Sequence, residues 1–131
     1  MRVMTDTNVL ISALLFPSEN MDALMYKVIS EHHLVLPSFV IDELMDVTKR
    51  KFPRKENAVD ELLSQFPFEL VYTPKQPRAD LFYIRDAKDY PILYTAIVED
   101  VDIFITGDDD FHVVNIEKPE ILKPADFLKK Y

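Results

Sequence analysis

Five carboxylates stand at places in this sequence where chemistry is the natural reading. Asp6 follows an apolar run in VMTDTNVL. Glu43 sits inside FVIDELMDV, Asp89 opens YPILYTAIVED, and Asp108 and Asp110 lie in ITGDDDF. Carboxylates gathered in one pocket repel: two unit charges about 4 Å apart cost roughly 4 kcal/mol at an effective dielectric of 20. Such a set persists only with cations between its members or with raised pKa values. Hard oxygen ligands without Cys or His suit Mg²⁺ or Mn²⁺. These ions polarise phosphoryl oxygens and activate water for in-line attack. The only glycine of the chain, Gly107, precedes Asp108. We read it as a tight turn that presents Asp108 and Asp110 to one ion, with Asp109 pointing away.

The elements that must position these residues follow from periodicity and punctuation. Arg2 to Thr5 predicts a strand. Asn8 is a cap for a helix through Phe16, stopped by Pro17. Helices are expected over Asn20 to Glu31, from a cap at Ser38 to about Lys51, over Asn57 to Phe66 and from Tyr90 to Glu99. Short strands are expected at Leu34 to Leu36, Phe68 to Tyr72, Asp102 to Thr106 and Glu120 to Lys123. Pro124 begins a last helix. Thr73 to Arg85, with Pro74 and Pro77, reads as a loop. Strands alternating with helices predict an α/β fold with a parallel sheet covered on both faces, and their continuous apolar runs suit double-sided burial. Ligands of such sheets bind beyond the carboxyl ends of the strands, where the strand order reverses. Asp6 and Asp108 both emerge there.

Each acid also has a plainer reading. Asp6 and Asp89 are good helix caps, although Asn8 already serves beside Asp6, and Asp86 competes with Asp89 for any ligand role. Glu43 is harder to dismiss. It falls within the stripe Phe39, Val40, Leu44 and Val47, where a lone buried carboxylate is costly. Its alternative is an edge glutamate reaching water. Asp42 and Asp46 lie on another side of the same helix.

Composition sets the bounds. A chain of 131 residues with 48% hydrophobic residues, nine Phe and six Tyr suits one domain, residues 1–131, with one core. There are no cysteines, so disulfides and thiolate metal sites are excluded. Asp6 and Asn8 break the N-terminal apolar run, which leaves no leader or membrane-spanning pattern; a cytoplasmic protein with no membrane partner is expected. The net charge of −8 lacks the basic footprint of most nucleic-acid binders and calls for local positive patches. Lys49, Arg50, Lys51, Arg54 and Lys55 form one candidate group, best read as a helix-end bias; Lys75, Arg78, Arg85 and Lys88 lie nearer the acids. His32 and His33 are expected at the surface, and no metal or base role is expected of them or of His112.

Taken in order, TDTNVL, Glu43 followed by leucine, DAKDYPILYTA, ITGDDDF and ILKPADFL resemble the PIN-domain family over essentially the whole chain. The likeness is greatest to small prokaryotic PIN proteins of toxin–antitoxin pairs. The resemblance implies a three-layer α/β/α sandwich with a mainly parallel sheet and a Mg²⁺- or Mn²⁺-dependent endoribonuclease. It places the catalytic acids at Asp6, Glu43, Asp89 and Asp108, adds Asp110 as a metal ligand, and gives Thr106 or Asn8 a role in orienting ligands or water. It implies single-stranded or structured RNA as substrate, with 5′-phosphate and 3′-hydroxyl products, and an antitoxin protein as partner. Two other strand-end-acid folds fit poorly. A receiver domain wants adjacent acids at the first strand, and a haloacid-dehalogenase-type phosphatase wants Asp-x-Asp where this chain has Asp6-Thr7-Asn8. The remaining alternative is a non-catalytic module of the same fold. In it, Leu14, Leu15, Phe16, Met21 and Met25 would serve a homodimer or an antitoxin segment, although such a face is more often core.

Overall fold

The computed structural model describes residues 1–131. Five strands, β1 (Arg2–Thr5), β2 (His33–Pro37), β3 (Glu69–Val71), β4 (Ile103–Ile105) and β5 (Glu120–Leu122), form one sheet. All neighbours pair in parallel, in the order β3-β2-β1-β4-β5. Met4 lies between Val35 and Phe104, its partners on the two flanking strands. Seven helices cover this sheet: α1 (Thr7–Leu15), α2 (Glu19–Glu31), α3 (Ser38–Lys51), α4 (Glu56–Gln65), α5 (Tyr90–Val98), α6 (Asp109–His112) and α7 (Pro124–Lys130). The result is the three-layer α/β/α architecture expected of the sequence.

The sheet centre explains why the short strands hold. Val3, Met4, Leu34, Val35, Leu36, Ile103, Phe104 and Ile105 are all buried, and they belong to one continuous cluster with the inner faces of the helices. Fully burying one such side chain is worth roughly 1.5–3 kcal/mol. Edge strands β3 and β5 have only three residues each, which limits their exposed backbone.

Several helix starts differ from the sequence reading. Asn8 does not cap α1; the Asp6 carboxylate does, accepting from the Val9 amide at 2.9 Å. Ser18 caps α2 through the Met21 amide. Ser38 does not cap α3. Its hydroxyl accepts from the Thr73 amide at 3.1 Å, while the Thr73 hydroxyl accepts from the Phe39 amide at 3.3 Å. This pair fastens the start of α3 to the segment leaving β3. On α3, Val40, Leu44 and Thr48 are buried at fourfold spacing, and Phe39 and Val47 are only half-buried. The short helix α6 had no counterpart in the sequence reading. No helix is long and apolar enough to cross a membrane.

Candidate metal centre

The strand order reverses between β1 and β4, and both strands deliver an acid at their carboxyl ends. The Asp6 amide donates to the Ile105 carbonyl at 3.1 Å, which extends the ladder one step beyond the strands. Asp6 is buried, and both its oxygens are engaged. One accepts from Val9 N–H, as above. The other accepts from the Thr106 hydroxyl. The same hydroxyl accepts from the Asp108 amide at 3.1 Å. Thr106 therefore ties the acid of one strand to the loop of the other. Burial pushes the Asp6 carboxyl above its ordinary range, against the pull of the Thr106 and Val9 hydrogen bonds; the charges of Asp108 and Glu43 add to the rise.

Asp108 leads α6, and its carboxylate accepts from the Asp110 amide at 2.9 Å. That bond fixes the spacing of the two acids. Asp89 comes from the start of α5. It ends a single 3₁₀ turn, Ala87–Asp89, which Asp86 caps through the Lys88 amide at 3.0 Å. Asp89 itself makes no capping hydrogen bond. One carboxylate oxygen from each of Asp89, Asp108 and Asp110 lies within 4.8 Å of the others. Burial, then the charges of Asp108, Asp86, Asp110 and Glu43, push the Asp89 carboxyl up to about 6. Glu43 lies half-buried on α3 outside this trio, close enough for its charge to act on both Asp6 and Asp89. An open cleft of about 430 Å³, lined by Asp6, Asn8, Ser12, Gly107 and Asp108, runs alongside.

With that geometry in view, the sequence matches the PIN-domain family model over residues 2–110. The chain belongs to the PIN-domain family. A solved structure of similar fold is VapBC2 from Rickettsia felis bound to a DNA fragment from their promoter. A chain of that assembly matches 93% of this one, over 97% of its own length, with a TM-score of 0.72 and 19% identity. No curated protein matches the sequence at a comparable level of significance.

The residues of this PIN domain fit a hard divalent cation. Three carboxylates from two separate places in the chain, Asp89 and the Asp108–Asp110 turn, converge, no sulfur or imidazole joins them, and Asp89 carries like-charge repulsion that no hydrogen bond relieves. Asp110 is the member with a cationic partner. Arg85 Nε lies 3.0 Å from both its oxygens and Nη2 lies 2.7 Å from one, which holds Asp110 below its ordinary range. Asp109 turns away to Lys123, at 2.8 Å.

The role expected of Gly107 is not what the PIN domain shows. Its φ is not positive, and a Cβ there would meet nothing within 4 Å. The turn needs no glycine. What glycine leaves is open space on the cleft wall. His112 has a structural part: its Nε2–H donates to the Thr106 carbonyl at 2.8 Å, bracing the loop from behind. No sequence pattern announced this bond, because it depends on α6. His32 is half-buried against the rings of Phe127 and Tyr131, whereas His33 is exposed and meets Glu69 at 3.2 Å. Of the first basic group, Arg50 pairs with Asp46 at 3.0 Å, and Lys55 donates to the Leu15 carbonyl at 2.9 Å.

Proposed function

We propose that this PIN domain is a Mg²⁺- or Mn²⁺-dependent endoribonuclease, the toxin of a toxin–antitoxin pair. The observation that carries the reading is the convergence of Asp89, Asp108 and Asp110 at the reversal of strand order, backed by the buried Asp6. That PIN domains typically use divalent metals supports it. Asp89, Asp108 and Asp110 would hold the cation, with Asp6 and Glu43 completing its surroundings. The ion, when bound, polarises a phosphoryl oxygen and activates water. Thr106 fixes the Asp6 carboxylate through one hydrogen bond and the Asp108 backbone through another, so both acids keep their place as substrate enters. Asn8, exposed on the cleft wall, offers an amide to orient water or a phosphate oxygen. Arg85, paired with Asp110 at the edge of the cluster, would be placed to meet a phosphate of the RNA backbone once a cation held that carboxylate.

The antitoxin is proposed to occupy an open apolar groove of about 500 Å³ between α1, α2 and α4, lined by Pro17, Met25, Tyr26, Ile29, Leu62 and Phe66. The likeness in fold to VapBC2 supports a partner of that kind. Leu14, Leu15 and Met25 are core residues, and Phe16 is half exposed and stacks edgewise on Phe52, so the face expected to serve a homodimer or an antitoxin segment is mostly internal, and the groove relies instead on Pro17, Tyr26, Ile29, Leu62 and Phe66.

The test incubates end-labelled single-stranded RNA with the purified chain in Mn²⁺ or EDTA, beside Asp6→Asn and Asp108→Asn. Cleavage that requires Mn²⁺ and is lost in both variants is expected. Equal cleavage by the variants, or none by the parent across a mixed-sequence RNA pool, overturns the nuclease reading in favour of a non-catalytic module.

A further inference from the structure

A second depression, of about 380 Å³, opens next to the acid cluster. Phe82, Tyr83, Ile84 and Tyr90 line it together with Pro77 and Pro91. Its volume lies at the small end of the range for pockets that hold organic ligands. The acid and the pocket share one turn of chain: Tyr90 and Pro91, on its wall, directly follow Asp89. Phe82 and Tyr90 stack face to face with centroids 4.2 Å apart, and Tyr90 stacks in turn on Tyr94. The Tyr90 hydroxyl donates to the Arg78 carbonyl and accepts from the Leu81 amide. These bonds tie the floor to the Arg78–Leu81 segment. Tyr83 differs from these rings. It is 82% exposed and has no aromatic partner, so both faces of its ring are available.

The chain around this pocket runs against the overall charge. The chain carries −8 overall, but Lys75 to Lys88 holds four cations (Lys75, Arg78, Arg85, Lys88) against two acids (Asp80, Asp86). Arg78 pairs with Asp80 at 3.2 Å and Arg85 with Asp110. Pro77 and Pro91 also border a neighbouring depression that carries Lys75, along with Asp42. Apolar and aromatic walls beside cations, adjoining acids that suit a metal, match one occupant. It has a flat ring for the wall and phosphates for its rim.

We infer that this pocket is a subsite for one nucleobase of single-stranded RNA, flanking the phosphodiester at the acid cluster, with Tyr83 as its stacking residue. The inference rests on the nuclease reading. Base stacking on an aromatic ring tolerates any base, because every base has a π face. The subsite would thus favour unpaired RNA over duplex, whose bases are stacked on one another, without reading a sequence.

The test uses the full chain carrying Asp6→Asn, so that RNA stays intact, with Mg²⁺ present. Single-stranded octanucleotides carry 2-aminopurine at successive positions, and its fluorescence reports stacking. Quenching at one position is expected, with Tyr83→Ala abolishing it and weakening binding roughly 5- to 100-fold, and with Tyr83→Trp preserving both. At 82% exposure Tyr83 carries no fold, so a loss on truncation is not a folding defect. The parent chain is assayed in parallel for Mn²⁺-dependent cleavage. Cleavage together with no quenching at any position, or with binding indifferent to Tyr83→Ala, overturns the nucleobase subsite and leaves the nuclease standing; a peptide then becomes the better occupant. Neither cleavage by the parent nor RNA binding by the variant overturns both.

Discussion

Replacing Asp89 by Asn should make the metal-free protein more stable and the metal-loaded protein worse. The Asp89 carboxyl is pushed from 3.8 up to about 6, chiefly by burial and then by its acidic neighbours. A raised carboxyl pKa means that the fold resists ionisation more than the unfolded chain does. Below pH 3.8 the group is protonated in both states and costs nothing. As pH climbs to about 6, the unfolded chain gives up its proton first and stability falls; above that the cost is constant. A shift of this size corresponds to about 3 kcal/mol at 1.36 kcal/mol per unit. Because Asp89 is only half-buried, solvent screening reduces this to roughly 1–2 kcal/mol. Asp89→Asn removes the charge without removing a capping bond, since Asp89 makes none. In EDTA at pH 7.5 the variant should melt roughly 3–10 °C above the parent. At pH 3.5 the two should coincide. Added Mn²⁺ should raise the Tm of the parent and leave the variant nearly unmoved, because a cation that binds only the folded state stabilises it by mass action. Thermal unfolding by circular dichroism across this pH range, with and without Mn²⁺, gives the answer. A variant no more stable than the parent at pH 7.5, or stabilised equally at pH 3.5, would refute the argument that Asp89 carries unrelieved charge.

Three further substitutions probe other parts of the site. Thr106→Val removes the hydroxyl that serves both Asp6 and the Asp108 amide. It should cost about 1–3 kcal/mol in urea unfolding and lower RNA cleavage about 10- to 100-fold, with Thr106→Ser recovering most of both. Arg85→Ala frees Asp110 from its competing cation. Exposed pairs are worth about 0–1 kcal/mol, so calorimetry should show Mn²⁺ binding up to about fivefold tighter, while RNA affinity falls. Gly107→Ala should leave the Tm within about 3 °C of the parent, because no left-handed backbone and no neighbour opposes a Cβ. The added methyl group enters the cleft, so the defect should appear in the KM for RNA.

The fold was legible because its central strands are unbroken apolar runs, and such runs need cover on both faces. The ends of elements were less legible, for a reason that Asp6 shows. A carboxylate has two oxygens, and here one caps α1 while the other faces Thr106, so being a cap and belonging to the site were never exclusive. Asp89 shows the converse. Its position at a helix start suggested a cap, yet Asp86 takes that work through the 3₁₀ turn and leaves the Asp89 side chain free. Glu43 could be flagged from its place beside the apolar stripe, but its distance from the acid trio depends on how α3 is fastened to the segment after β3. Arg85 on Asp110 and His112 on Thr106 escaped sequence reasoning entirely. The first depends on the path of a long loop, the second on a four-residue helix whose start is set by the Asp108 side chain.

The bond between Thr106 and Asp6 joins residues 100 positions apart. During synthesis β1 can pair with β2 as soon as both have left the ribosome, and β3 can add to them. None of these strands brings a second acid to Asp6 from the far side of the reversal. That waits for β4, Asp108 and the turn into α6. Until then a nascent chain has two acids or three on separate elements and no pocket for a cation. For a protein proposed to cut RNA, this order has a protective effect. While residues 1–102 are being made, the message and ribosome lie beside a chain whose acids have not yet met.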